Sequence, residues 1–318
     1  MNIIFGSGIV GLLARFLLGP SWKIIPFYRS RFFSFNPALD DNFIIRDDKL
    51  DPFINDVSKM INVPIFVYQR VWSVSGELTK QFDKDLCHAW MYKLFGADIP
   101  SQSQVYFADR MNLFVYDIRI NQLYQALTNK FIDELKAENV AGPVTEIGDH
   151  YIIRGGKRLD FDNAVSTIPL DALFELSKFQ HNLRAKTLHY LHVQTDDLNF
   201  EGANQVLVTD QLIDFYKVTH IAPRRYLFHC HNNIPNPGLY LMQFMRQFDI
   251  IDGTSIEGAI PIGQIPKLDE LEKRGIYCIG SSAQWDWCMD VGSCILRLMR
   301  YSQRGNKPNT VTEFKLNE

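Results

Sequence analysis

The sequence of 318 residues lacks most of the features that mark specialised protein classes. Neither sign of charge is in excess, because 33 basic residues nearly balance 36 acidic ones. Such a balance does not indicate a surface that coats nucleic acid. The sequence contains no internal repeat and no low-complexity segment, and no apolar run approaches the ~20 residues that span a membrane. A globular protein with neither a membrane nor a nucleic acid as its partner is therefore expected.

Cysteine is scarce, and its spacing indicates neither a metal site nor a disulfide scaffold. The five cysteines are Cys87, Cys230, Cys278, Cys288 and Cys294, and no two of them form a CxxC pair. An odd number of cysteines without paired spacing is typical of reduced thiols. We therefore predict a cytoplasmic protein with free cysteines and no metal.

The N-terminal stretch 1–19 is apolar enough to be compared with a secretion signal. Glycines interrupt its apolar run, Arg15 lies inside it, and neither a basic segment nor a small-residue cleavage site flanks it. It instead predicts a strand over 2–5, a helix over 12–18 and a second strand over 22–27. This order is a compact β-α-β unit.

A glycine motif, Gly6-x-Gly8-x-x-Gly11, lies between the first predicted strand and the first predicted helix. In this context Gly6 permits a tight turn, Gly8 lets the backbone approach a pyrophosphate, and Gly11 lets the helix pack closely. The helix N-terminus adds N–H groups and a positive dipole end. A glycine-rich turn without a ligand is the alternative. The residues expected to surround the phosphates are Gly6, Ser7, Gly8, Ile9, Val10 and Gly11.

The second predicted strand does not end in the acidic residue that usually binds a nucleotide ribose. Residues 26–31 contain no acid and carry Arg29 and Arg31 instead. These arginines have three possible roles: contact with a 2′-phosphate, as in NADP, packing on an adenine ring, or simple solvation.

Helices and strands are mixed along the whole chain, so the class is α/β or α+β. Residues 28–60 have no regular pattern, whereas 186–232 alternates as strands do. Further strands are predicted at Val144–Ile147, Tyr151–Arg154, Asn163–Ser166 and Ile276–Gly280. The later helices are predicted at Asp83–Phe95, Asn121–Glu138, Leu239–Phe248 and Val291–Tyr301.

The chain resembles the flavin-dependent amine oxidase superfamily, in the branch of protoporphyrinogen-oxidase-like proteins and UDP-galactopyranose mutase. The resemblance is carried, in order, by the glycine motif, by the strand and Thr-x-Pro segment 159–169, by the strand 214–219, and by the segment 275–290. The sequence departs from the family pattern at Ser281, where the family has an arginine. The ribose acid is also missing, and the chain is shorter than most members.

The resemblance implies a Rossmann-like FAD-binding domain of the GR2 type, interleaved with an α+β substrate domain. The FAD-binding domain would comprise 1–70, 119–175 and 255–318, and the substrate domain 71–118 and 176–254. A helix that begins near Asp290 would face the flavin, although Trp285 and Trp287 are equally explained as core aromatics. Besides the glycine motif, the implied FAD-binding residues are Arg29, Val144, Thr167, Gly280, Ser281, Trp287, Met289 and Asp290.

The substrate segment supplies the catalytic candidates His229, His231, Tyr216 and Lys217. A histidine in a flavin cavity can serve as acid or base, since its pKa lies near neutrality. A metal cluster with His189 and His192 is the alternative, and half-buried strand histidines are a third explanation. The polar and basic residues of 216–225 either bind an anionic substrate or form a solvated hairpin.

Three functions are consistent with these patterns. The first is an FAD-dependent oxidoreductase that transfers a hydride from a small or nucleotide-linked substrate to the flavin. The second is a flavin-dependent mutase or lyase without net redox chemistry. The third is a degenerate nucleotide-binding scaffold without catalysis.

Overall fold

The fold is taken from a computed structural model of the chain. It describes residues 1–27, 44–81, 83–96, 112–116, 118–262, 268–284 and 291–303.

The described residues form sixteen strands and ten α-helices. The strands are β1 Asn2–Phe5, β2 Trp22–Ile25, β3 Ile44–Ile45, β4 Ile65–Val74, β5 Glu77–Thr79, β6 Asn112–Tyr116, β7 Val144–Gly148, β8 Tyr151–Arg154, β9 Lys157–Asp160, β10 Asn163–Ser166, β11 Arg184–Thr195, β12 Gln205–Val208, β13 Phe215–Ala222, β14 Arg225–Cys230, β15 Phe248–Ile262 and β16 Ile276–Cys278. The helices are α1 Ile9–Leu18, α2 Asp51–Val57, α3 Lys84–Phe95, α4 Ile120–Lys130, α5 Ile132–Val140, α6 Leu170–Leu176, α7 Pro237–Leu241, α8 Asp269–Lys273, α9 Ser281–Gln284 and α10 Val291–Gln303.

A four-stranded parallel sheet of order β16-β10-β1-β2 organises one part of the molecule. Its strands are short and apolar because both faces are covered, as is usual for parallel sheets. On one face Ile4 and Ile24 pack with Leu12 of α1, and on the other Ile3 and Phe5 join a second apolar cluster. The mixed α/β class is thereby confirmed.

A nine-stranded sheet forms the second large unit, with the order β15-β11-β14-β13-β12-β4-β6-β3 and β5 paired to β4. Its longest pairing joins β11 to β15. One face carries Trp72 and Leu207, which pack against Trp90 of α3. The other face carries a separate apolar cluster that includes Val206 and Phe228. β7, β8 and β9 form a third, antiparallel sheet, whose Val144 and Ile152 join the apolar cluster of Ile3 and Phe5.

The predicted division into two domains stays a prediction, but the strand pairing refines it. Residues 44–45 and 65–70 belong to strands of the nine-stranded sheet, although the prediction assigns them to the FAD-binding domain. The same holds for 255–262, which pairs with β11. The large sheet therefore draws on more of the chain than the substrate domain was expected to contain.

The predicted helix over Asn121–Glu138 is wrong in its continuity, because the chain forms two helices that meet at Phe131. The φ and ψ angles of Phe131 are −111° and 15°, outside the helical range. Beyond this break, Glu134 accepts hydrogen bonds from the Ile24 N–H of β2 at 3.0 Å and from Arg15 Nε of α1. These tertiary contacts coincide with the change of direction that the local periodicity did not reveal.

The predicted helix over Leu239–Phe248 is wrong in its bounds, because the helix ends at Leu241. The actual helix α7 begins at Pro237, and Asn236 caps it by accepting from the Leu239 N–H at 3.1 Å. After the helix, the Asp197 carboxylate accepts from the N–H groups of Arg246 and Gln247. The chain then enters β15 at Phe248. Residues 28–60, expected to be irregular, contain β3 and α2 in their described part.

The N-terminal strand and helix are part of the folded core, since Ile3, Ile4 and Leu12 are completely buried. Among the described residues, no helix is both long and apolar enough to cross a membrane. Four cysteines are buried free thiols (Cys87, Cys230, Cys278 and Cys294), and Cys288 lies outside the described residues.

Candidate functional site

The glycine motif lies at the carboxyl end of β1, where the order of the parallel sheet reverses. β2 lies on one side of β1 and β10 on the other, which is the kind of point at which α/β sheets bind ligands. The Gly6 N–H donates to the Ile25 carbonyl at 2.9 Å. On the opposite side, the Thr167 hydroxyl donates to the Phe5 carbonyl at 2.8 Å. The loop is thus held between the ends of both neighbouring strands, and it brings Thr167 to the motif.

The three glycines of the motif differ in their local geometry. Gly6 has a φ of +104°, and a Cβ there would lie 2.5 Å from Thr167 Oγ1. A Cβ on Gly11 would lie 2.1 Å from the Gly6 carbonyl oxygen, so the helix can approach the loop only without a side chain. Gly8 differs from both, because its φ is −70° and a Cβ there would meet nothing within 4 Å. The structure therefore leaves open space beside Gly8.

The first turn of α1 is suited to an anion. Gly8 is the N-cap residue, no side chain caps the helix, and the first turn contains no acidic residue. The first N–H groups of a helix have no partner within the helix, and they carry the positive end of its dipole. These N–H groups, next to the open space at Gly8, fit the phosphate site that the sequence predicts.

The end of β16 reaches the same place. The Ile279 N–H donates to the Ser166 carbonyl at 2.9 Å, which continues the parallel pairing by one bond. Gly280 follows with a φ of +116°, and a Cβ there would lie 3.9 Å from both methyl groups of Val10. Helix α9 begins at Ser281. The structure thus assembles Gly280 and Val10 from distant parts of the chain.

Most of the other predicted FAD-binding residues lie outside the described part of the chain. Arg29, Trp287, Met289 and Asp290 lie outside the described residues. Val144 begins β7 and belongs to the apolar cluster that contains Phe5.

Helix α10 follows the segment 285–290 and is linked to α9 through a hydrogen bond. Arg297 donates from its Nη1 atom to Gln284 Oε1 at 2.6 Å. Gln284 is buried, and its N–H donates to the Gly280 carbonyl. This chain of contacts joins Gly280 to α10.

The catalytic candidates lie around β13 and β14. His229 and Tyr216 are 1% and 2% exposed, and their ring centroids are 5.8 Å apart. The centroid of the Tyr190 ring lies 4.8 Å from that of His229 in an edge-to-face contact, and Trp90 Nε1 donates to the Tyr216 carbonyl. Lys217 is half-buried and pairs in register with His229. The structure therefore brings His229, Tyr216 and Lys217 together.

His231 lies one residue beyond the end of β14 and is half-buried. Its N–H donates to the Asp214 carbonyl at 3.2 Å. Burial, assisted by the nearby Lys93 ammonium, lowers the pKa of His231, so the neutral imidazole is favoured near pH 7.

The predicted basic cluster within 216–225 is not one site, because the hairpin separates its members. Arg224 lies in the turn and forms an ion pair with Asp196 at 2.5 Å. His220 is exposed and stacks on Tyr226 at 5.1 Å. The structure thus places His220 and Arg224 on an exposed hairpin, and binding of an anion there stays a prediction.

The histidines do not assemble a metal centre within the described part of the chain, which contains no group of three possible ligands. His189 Nδ1 is 2.7 Å from Ser255 Oγ, whereas His192 is buried, with its pKa lowered mainly by burial.

Sequence analysis did not identify the buried polar residues Gln205 and Thr219 or the half-buried Arg70. They lie on β4, β12 and β13, and strand register places them side by side. The sequence does show a polar residue within an otherwise apolar strand, as in Gln205-Val206. This pattern does not reveal which strands are neighbours in the sheet.

Comparison with known proteins identifies the fold. No protein-family model matches the sequence, and no curated protein is significantly similar to it. Among solved structures, reduced UDP-galactopyranose mutase is similar with a TM-score of 0.67 and 12% identity, over 96% of this chain and 93% of that chain.

Two oxidases are similar at lower scores. Cyclohexylamine oxidase from Brevibacterium oxydans has a TM-score of 0.58 and 10% identity, over 95% of this chain and 98% of that chain. A variant of putrescine oxidase with redesigned cofactor binding has a TM-score of 0.58 and 11% identity, with the same coverage of 95% and 98%. At such identities the likeness shows the fold alone, and the chain shares the fold of this mutase and these two oxidases.

Proposed function

We propose that the chain is a flavoenzyme that holds FAD across the end of its parallel sheet. The open space at Gly8, facing an uncapped helix N-terminus, is the observation that carries this proposal. The fold supports it, because the similar structures include a mutase and two oxidases. The FAD-binding domain of the GR2 type would comprise 1–70, 119–175 and 255–318, without the strands that join the large sheet.

Different segments of the chain would bind different parts of the cofactor. The loop 6–11 and the α1 N-terminus would hold the pyrophosphate. Gly280 and Ser281 lead towards α10, whose N-terminus would face the flavin ring. Arg29 and Val144 are proposed contacts for the adenosine end, where no acidic residue follows β2.

The proposed reaction is the oxidation of a small or nucleotide-linked substrate. Bound FAD supplies the hydride acceptor for such a reaction. The chain would contribute binding, orientation and exclusion of water in a cavity between the parallel sheet and the large sheet. His229, Tyr216 and Lys217 lie together at β13 and β14 and remain proposed candidates for proton transfer. His231, one residue beyond β14, is the fourth candidate.

The proposal is tested by the visible absorption of the purified protein before and after addition of FAD. We expect bound oxidised flavin in the wild type and its loss in Gly8→Asp. An aspartate at this N-cap position stabilises helices, so Gly8→Asp should unfold no more easily than the wild type. Its carboxylate, however, would occupy the space proposed for the pyrophosphate.

Gly8→Ala is the matched control, because an added Cβ meets nothing within 4 Å but introduces no charge. Gly8→Ala should weaken FAD binding less than Gly8→Asp does. Full FAD occupancy in Gly8→Asp would overturn the phosphate assignment. A wild type that stays colourless with added FAD would instead favour the nucleotide-binding scaffold.

A mutase-type reaction without net oxidation is the second candidate. It is favoured by the TM-score of 0.67 to UDP-galactopyranose mutase, against 0.58 for the two oxidases. Turnover should then require dithionite-reduced protein and consume no electron acceptor. Turnover that is unchanged by dithionite and consumes an acceptor stoichiometrically would exclude it.

A further inference from the structure

Arg297 forms a hydrogen bond that connects the two helices on either side of the segment 285–290. Its Nη1 atom donates to Gln284 Oε1 at 2.6 Å, and the two residues are 13 positions apart in the chain. Arg297 lies near the middle of α10 and is half-buried, whereas Gln284 is the last residue of α9 and is 9% exposed. The bond therefore joins α10 to α9 at a point that is largely shielded from water.

Gln284 connects this bond to the turn at Gly280. The Gln284 N–H donates to the Gly280 carbonyl at 2.9 Å, which closes the single turn of α9. A Cβ on Gly280 would lie 3.9 Å from the two methyl groups of Val10 and 4.0 Å from Ala283 Cβ. Ala283 is completely buried in the apolar cluster that contains Phe5. Gly280 thus lies between α9 and the first turn of α1, next to the glycine motif.

The apolar face of α10 packs against α1. Cys294 and Leu298 of α10 belong to the same buried cluster as Leu12 of α1. Apolar contacts are non-directional, so they hold two helices together without fixing the exact position of one along the other. A hydrogen bond is stable only within a narrow range of distance and angle. The bond from Arg297 therefore fixes the position of α10 more closely than its apolar contacts do.

A polar pair at this place is not the simplest way to stabilise the contact between the two helices. Burying an amide costs free energy unless it is hydrogen-bonded, and two apolar side chains would join α9 and α10 without that cost. A buried polar pair, by contrast, favours one arrangement over others with similar packing. The pair of Arg297 and Gln284 thus indicates that the position of these helices matters.

We infer that Arg297 is a positioning residue of the proposed FAD site, and this inference rests on the proposed flavoenzyme function. Through Gln284, Arg297 holds Gly280 next to Val10 at the loop proposed for the pyrophosphate. It also fixes the position of α10, whose N-terminus faces the flavin ring in that proposal. The positive end of a helix stabilises negative charge, so the position of α10 determines how well the reduced flavin is stabilised. Arg297 thereby sets both the affinity for FAD and the midpoint potential of the flavin.

The test compares FAD binding and flavin midpoint potential in variants of the intact protein. FAD is added to the apoprotein at a temperature at which every variant is folded, and the potential is measured at saturating FAD. Arg297→Met should bind FAD about tenfold more weakly than the wild type, because a hydrogen bond from a charged donor is lost. Its midpoint potential should also be lower, since the N-terminus of α10 is no longer held at the flavin.

Further variants separate the hydrogen bond from packing. Gln284→Leu removes the acceptor and should weaken FAD binding as much as Arg297→Met does. The double variant should bind FAD no more weakly than either single variant, because both changes remove the same bond. Arg297→Lys keeps a cationic donor and should restore part of the affinity. Arg300→Met is the matched control, because Arg300 is exposed on the same helix, and it should keep the affinity and the potential of the wild type.

Equal FAD affinity in Arg297→Met and the wild type would overturn the inference, as would additive losses in the double variant. An unchanged midpoint potential at saturating FAD would make the role of Arg297 purely structural and would overturn it too. If Arg297→Met does not fold, Arg297→Lys and Gln284→Leu decide by the same criteria. A wild type that takes up no FAD would refute the flavoenzyme function and this inference with it, whereas the other outcomes leave that function in place.

Discussion

Gly11 and Gly6 are in such close contact that any side chain on Gly11 would collide with the backbone. The Cβ of an alanine at Gly11 would lie 2.1 Å from the Gly6 carbonyl oxygen, and no rotamer change can relieve a clash with backbone. This contact fixes the position of α1 against the loop 6–11, which would hold the pyrophosphate in the proposed FAD site.

Gly11→Ala is therefore expected to destabilise the protein by about 1–3 kcal/mol, the usual cost of forcing extra volume into a packed site. It should also reduce flavin retention, because α1 must move away from the loop. Urea unfolding and flavin absorption measure the two effects. Gly8→Ala is the control, and its unfolding midpoint should stay near that of the wild type, because its Cβ has free space. Equal destabilisation of both variants would contradict the geometry of the loop.

The buried ion pair between Arg154 and Glu138 supports the second prediction. Arg154 is 4% exposed and also donates from Nε to the Gly142 carbonyl at 2.8 Å, while Glu138 has a second partner in Lys23 at 2.8 Å. Arg154→Met should cost about 2–4 kcal/mol, because it leaves a buried carboxylate with a single partner.

Arg154→Met combined with Glu138→Gln should cost less than the sum of the two single variants in urea unfolding. Strictly additive losses would show that the pair is not coupled.

Burial of the Lys93 ammonium leads us to predict that the stability of the protein depends on pH. Burial lowers its pKa from 10.5 to about 8, and the nearby Asp210 and Asp214 carboxylates offset only part of this effect. Between pH 8 and pH 10.5 the unfolded chain holds the Lys93 proton and the folded chain does not, so this group makes the free energy of unfolding rise with pH. The gain is on the order of 3 kcal/mol.

Lys93→Met should remove this rise, even though it also removes the hydrogen bond from Nζ to the Asp210 carbonyl at 2.5 Å. Lys84→Met, an exposed change on the same helix, should leave the slope unchanged. Urea unfolding at several pH values gives the slopes. The same slope in Lys93→Met and in the wild type would refute the assignment.

The side chain of Asp83 caps α3, so we expect its removal to destabilise this helix. Its Oδ1 atom accepts from the N–H groups of Asp85 at 2.7 Å and Leu86 at 3.3 Å, which caps the helix that covers Trp72. Asp83→Ala should cost about 1 kcal/mol, whereas Asp83→Asn should cost little because asparagine also caps helices. Thermal unfolding distinguishes the two variants, and equal losses would show that the cap is not the cause.

The sequence was informative where a structural requirement is local. The spacing of Gly6, Gly8 and Gly11 after four strand residues predicted the loop and the helix, because a turn, a close approach and a packed helix each need glycine at a fixed position. Thr167 and Gly280 came from the family resemblance, and the structure places both beside the loop. By contrast, the break at Phe131 was not predictable from periodicity, because it accompanies contacts of Glu134 with β2 and α1.

The sequence by itself determined the strand, loop and helix of the glycine motif and the mixed α/β class, because those follow from residues close together in the chain. Only the tertiary structure decided which distant strands became neighbours. Arg70 lies beside Gln205 because β4 pairs with β12, although 135 residues separate them in the chain (205 − 70). Sheet pairing is set by hydrogen bonds between distant segments and by burial of their apolar faces, so residue spacing alone does not reveal it.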